Sequence, residues 1–123
     1  MKYNPDIAPD PSRWLDTDDD ERALAIQQYH KRAKEPVGEN ATLHAAIHAA
    51  VENQIAEGHL VATATLSRLM AEGLDRHDAI HAIGAIVAAE MFDAIQHQVP
   101  HDPEQYARNL QALTAARWRA GLV

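Results

Sequence analysis

Hydrophobic positions recur along this chain at spacings of three and four residues, broken by short polar stretches that carry glycine, proline or a capping side chain. That period belongs to amphipathic helices rather than strands. The spacing predicts a first helix from Asp16 or Thr17 to about Ala33, with Leu24, Ile26 and Tyr29 along it. Asp18, Asp19, Asp20 and Glu21 load its first turn and Lys31 and Arg32 its last, as the helix dipole favours. After a connector with Pro36 and Gly38, a second helix is capped at Asn40 or Thr42 and closed by Gly58 as a left-handed residue. Its stripe is Leu43, Ile47, Ala50, Val51 and Ile55.

A third helix spans roughly Val61 to Glu72, with Leu66, Leu69 and Met70 inward and Gly73 after it. The fourth starts at Asp75, where Asp78 stands three residues on as in a capping box, and runs to about Gln96. Ile80, Ile83, Val87, Met91 and Ala94 share one side of it. Val99-Pro100-His101 breaks the pattern, and Asp102-Pro103 restarts it as a cap followed by proline at the first helical position. A fifth helix then carries Tyr106, Leu110 and Leu113 to about Ala120.

The expected architecture is all-α: one domain of about five helices, mostly antiparallel because the connections are short. Residues 1–15, with Pro5, Pro9 and Pro11, read as an extended arm that lays Tyr3, Ile7, Trp14 and Leu15 on the body. Residues 40–97 form the core of the domain, and 102–121 read as a helix added to it, either covering the body or making a dimer seam.

Composition narrows the chemistry. The 123 residues suit a single core, built from Ala, Leu, Ile and Val because aromatic residues are only 5%. There is no cysteine, which excludes disulfides, iron–sulfur clusters, thiolate zinc sites and cysteine nucleophiles. The net charge of −7 opposes nucleic-acid binding, and Arg108, Arg117 and Arg119 are a thin basic patch. The longest apolar run, Ala82 to Ala89, is too short to span a bilayer, and the proline- and aspartate-bearing start does not read as a signal peptide. A cytoplasmic protein is expected. Ser12 and Ser67 lack the setting of a nucleophile, no glycine-rich phosphate loop is present, and no small-molecule substrate is identifiable.

The strongest chemical signal is a phrase written twice. His44-Ala45-Ala46-Ile47-His48-Ala49 and His77-Asp78-Ala79-Ile80-His81-Ala82 both have the form H-x-A-I-H-A. Residues four apart stack on one helix face, so each phrase presents two imidazoles beside a core-facing isoleucine. Helices packed through Ile47 and Ile80 bring His44, His48, His77 and His81 to one groove, a donor set for a divalent transition metal, zinc or nickel before others. Of the 8 histidines, His30, His59, His97 and His101 read as scattered, solvated or making one hydrogen bond each. Glu52, one turn past His48, is a candidate acceptor for a ligand's second ring nitrogen. Glu90 falls on the buried stripe and reads as a partner to a histidine or arginine from another helix or as exposed where the fourth helix outruns its neighbours, with a functional acid the less favoured alternative.

Two alternatives stay open beside the metal. The repeat can record a duplicated packing interface, making the chain a metal-free interaction or dimerisation module that meets a second copy through apolar helix faces. A metal-dependent hydrolase is third: the H-E-x-x-H glutamate is replaced by Ala45 and Asp78, and a shell of four histidines leaves no position for substrate. No catalytic residue is assigned, and an enzyme is the less favoured reading.

Three segments carry a resemblance: Leu43 to Gln54, Leu69 to Leu74, and Asp75 to Gly84. They resemble an uncharacterised bacterial family of small cytosolic helical proteins marked by paired H-x-x-x-H helices. The resemblance implies the histidine-bearing helices and implies no reaction.

Overall fold

The computed structural model describes residues 1–123 and holds seven helices and no strand. They are α1 (Pro11–Asp16), α2 (Asp19–Ala33), α3 (Ala41–Ala56), α4 (Leu60–Ala71), α5 (Arg76–His97), α6 (Pro103–Ala112) and α7 (Ala115–Arg119). The middle helices lie where their caps place them. Asn40 accepts from the Leu43 N–H at 2.9 Å and Asp75 from the Asp78 N–H at 2.8 Å, and Gly58 takes φ 76° past the end of α3.

The two extra helices correct the expected ends. Pro11 does not forbid a helix; it begins one, because at the first helical position its missing N–H costs nothing. Asp10 caps α1 by accepting from the Arg13 N–H at 3.0 Å. The chain therefore turns before Asp18, and α2 starts two to three residues later than Asp16 or Thr17. The arm is consequently helical from Pro11, with Trp14 fully buried. At the other end, the helix expected to run unbroken to Ala120 stops at Leu113, whose backbone is extended (φ −71°, ψ 131°). Thr114 then caps α7 by accepting from the Arg117 N–H at 3.1 Å.

The C-terminal segment is also not an addition to the core. Tyr106, Leu110, Leu113 and Ala115 belong to the principal hydrophobic cluster, with Val51 of α3, Leu66 and Leu69 of α4, and Ile80 and Ile83 of α5. A second cluster unites Tyr3, Trp14, Ala25, Ile26, Ala45 and Ala49 under the arm, α1 and α2. Helix α3 serves both, giving Val51 to one and Ala45 and Ala49 to the other. Along α3 and its two neighbours runs a buried polar layer that includes His30, His48, Glu52, Arg76 and His77.

Gly84 sets the approach of α3 to α5. A Cβ built there would lie 3.3 Å from Ile47 Cγ2 and 3.9 Å from Val51 Cγ2, so any side chain here would require Ile47 to give way. Gly84 stands three residues beyond His81, on the same helix face, and the contact it permits draws the two histidine rows together.

Candidate metal centre

Five imidazoles meet where α2, α3 and α5 converge. His44 and His48 come from α3, His77 and His81 from α5, and His30 from the last turn of α2. The closest pair of ring centroids is His77 and His81 at 4.2 Å, and the widest recorded contact is His44 to His48 at 6.2 Å. Across the helices, His44 and His81 lie 5.1 Å apart and His48 and His81 5.3 Å.

The donor atoms sort into two overlapping groups. His30, His44, His48 and His81 each offer a nitrogen within 4.8 Å of the other three. His77 groups instead with His30 and Glu35 under the same limit. The structure thus brings all four repeat histidines together but places His30, not His77, in the four-donor set. His30 was read as scattered. The signal that could have found it is Ile26, one turn earlier on the same face and wholly buried.

Two of the rings have their tautomer fixed by neighbours that leave one choice. Nδ1 of His30 lies 2.8 Å from the Ile26 carbonyl, which can only accept, so Nδ1 carries the proton of the neutral ring and Nε2 is bare. His48 is held by a longer chain. Arg76 grips Glu52 with both guanidinium ends, at 2.8 and 2.7 Å, in a two-pronged charged hydrogen bond. The Tyr3 hydroxyl donates to Glu52, so its oxygen accepts from Nε2–H of His48 at 2.8 Å. Nδ1 of His48 is then bare, and it is buried with no hydrogen-bond partner. Orientation of a ligating imidazole through its second nitrogen is the usual outer support of a metal site. Glu52 does act as an acceptor for His48, but through Tyr3, which nothing in the local pattern links to it.

Two pairs of ring nitrogens face each other. Nε2 of His44 lies 3.2 Å from Nε2 of His30, and Nε2 of His77 lies 3.1 Å from Nε2 of His81. Each contact is satisfied by one shared proton, which a metal ion would displace. Burial, followed by repulsion from the other rings, pushes His48 down to about 2 and His81 to about 3, and it lowers His44 as well. His48 and His81 therefore stay neutral at any physiological pH, and neutral imidazole is the ligating form.

That shift has a consequence for the metal-free protein. Above the ordinary histidine value of 6.5, His48 is neutral folded or unfolded, and stability does not depend on it. As pH falls below 6.5 the unfolded chain takes up a proton that the buried ring refuses, so stability drops until about pH 2. The slope for one such group is at most about 1.4 kcal/mol per pH unit. Urea titrations of chelator-treated protein at pH 7 and pH 5 should show a lower midpoint at pH 5. Equal midpoints would contradict the burial of His48.

Clefts flank the cluster. One of about 570 Å³ is lined by His30 and His44 together with Leu24, Gln27, Lys31 and Lys34. Another of about 260 Å³ lies between α3 and α5, against His44, His48 and His81, with Trp118 at its edge.

A family model described as a domain of unknown function (DUF1841) matches residues 11–112. The chain belongs to this family. The DUF1841 match includes all five clustered histidines and α6, and it leaves Tyr3 outside. No curated protein and no solved structure matches the chain. No helix of this DUF1841 protein is long and apolar enough to cross a membrane.

The other histidines serve elsewhere. His59 makes one hydrogen bond, as expected: its Nδ1 caps α4 by accepting from the Ala62 N–H at 3.0 Å. His97 is exposed beside Asp93 at 3.3 Å, and His101 is exposed against Tyr106. Glu90 is neither exposed nor ion-paired. It is half-buried with Oε2 unpartnered, and burial raises it above the usual carboxylate range.

Proposed function

We propose that this protein binds a divalent transition metal, zinc or nickel before others, between α2, α3 and α5. The ligands are His30, His44, His48 and His81, with His77 completing the cluster. The observation that carries this reading is the bare, buried and unpartnered Nδ1 of His48, held in place by Tyr3, Glu52 and Arg76. A polar atom buried without a partner is costly, and a metal ion would satisfy it. An all-imidazole set without thiolate suits zinc, nickel or copper over calcium or magnesium.

A metal-free interaction module has one observation in its favour. Phe92 and Ile95, 67% and 76% exposed, leave apolar surface on the last turns of α5. It does not account for five imidazoles gathered around a fixed tautomer.

Metal content of protein purified without a histidine tag, followed by thermal melts with and without chelator, tests the reading. A ligand that binds only the folded state adds about 2.7 kcal/mol at a hundredfold excess over its Kd. The melt of metal-loaded protein should therefore rise by several degrees. His48→Ala and His81→Ala should each weaken binding strongly, and the double variant should be little worse, because both serve one site. His97→Ala should change nothing. Identical melts for loaded and stripped protein would leave the interaction module as the better account.

A further inference from the structure

Resting on the metal reading above, we infer that the centre takes two divalent ions, the second held by His77, Glu35 and His30. Imidazole nitrogens bind zinc at about 2.0–2.1 Å, so donors on opposite sides of one ion stand about 4 Å apart. Within each of the two donor groups the atoms lie within 4.8 Å of one another, so small side-chain rotations would bring them to one ion, but His77 and Glu35 do not fall within that distance of all the others. One ion therefore cannot gather all six donors as they stand.

His30 is common to both groups yet has a single nitrogen to give, since its Nδ1 is committed to the Ile26 carbonyl. When it serves the second ion, the donors divide three and three: His44, His48 and His81 against His30, His77 and Glu35. Three protein ligands leave a coordination position for water or substrate, where four close the shell. With three ligands to each ion, neither shell is filled by protein.

Glu35 is placed for this by the end of α2. Lys34 adopts the left-handed conformation (φ 54°), unusual for a side chain of its kind, and the Glu35 N–H turns back to the His30 carbonyl at 3.1 Å. The reversal sets Glu35 Oε2 at 3.5 Å from Nε2 of His77 and 3.8 Å from Nε2 of His30. A carboxylate is what a second dication among neutral rings needs, and Asp6 adds another negative group by accepting from the backbone N–H of His77 at 3.3 Å. Glu35, His30 and His44 all line the 570 Å³ cleft, so the second ion would lie on its side of the cluster.

Zinc titration of untagged full-length protein by calorimetry, with bound zinc counted after desalting, tests this. Wild type should saturate at two ions per chain. Glu35→Gln, conservative and at a half-buried position, should saturate at one ion, with the affinity of that ion changed less than tenfold. His77→Ala should do the same, with circular dichroism confirming its helices. Saturation of wild type at one ion, or two ions retained in Glu35→Gln, would overturn the second site and leave the first intact. No ion bound at all would remove both.

Discussion

Removing residues 100–123 should unfold the protein. That segment supplies Tyr106, Leu110, Leu113 and Ala115 to the principal cluster, each at most 4% exposed. Truncating one buried leucine to alanine costs about 2–5 kcal/mol, and whole domains are stable by only about 5–15 kcal/mol. Losing two such leucines and a tyrosine at once is comparable to that whole margin. The segment is also tied by hydrogen bonds: Tyr106 donates to Gln54 at 2.7 Å, and the Ala115 N–H donates to Glu72 at 2.9 Å. A chain ending at Val99 should show no cooperative melt by circular dichroism. The graded version, Leu110→Ala in the full chain, should lower stability by about 2–5 kcal/mol in urea. A cooperative, soluble truncated protein would return α6 and α7 to the status of an appendage.

Arg76→Ala should cost about 3–5 kcal/mol, the usual penalty for stranding one partner of a buried ion pair. Glu52 is 1% exposed, and without Arg76 it keeps only the Tyr3 hydroxyl. Arg76 also donates to the Pro5 carbonyl at 2.8 Å, so its loss frees the N-terminal arm that carries Tyr3. The double change Arg76→Met with Glu52→Leu removes both charges and should recover most of the stability. It should not recover the metal site. With Glu52 gone, the Tyr3 hydroxyl no longer has its acceptor and nothing fixes the proton of His48 on Nε2. Metal affinity should fall about 10–100-fold, as for other losses of support behind a ligand. Urea denaturation and metal titration of the same two variants separate the effects. Equal affinity in wild type and the double variant would show that the relay is structural only.

The two histidine rows were legible because helix geometry is local. H-x-A-I-H-A needs only a helix to stack its rings and only the apolar stripe to say which way Ile80 turns. Caps were legible for the same reason: Asn40, Asp75 and Asp102 bond within three residues of themselves. The break at Leu113 was not, since neither glycine nor proline marks it. His30 was missed because one histidine on a stripe looks like any other until a second helix is set against it. Tyr3 and Glu35 carried no signal of their own.

By itself, then, the sequence determined an all-helical chain, the positions of its middle helices and four histidines on two helix faces. The tertiary structure alone decided which nitrogens are bare, which carboxylate stands beside them and that the C-terminal segment belongs to the core. The physical reason is range. A helix bonds four residues back, whereas Tyr3 reaches His48 and Glu52 across 45 and 49 residues, and Arg76 reaches Pro5 across 71. Such pairings follow from how whole elements pack, and no spacing along the chain encodes them.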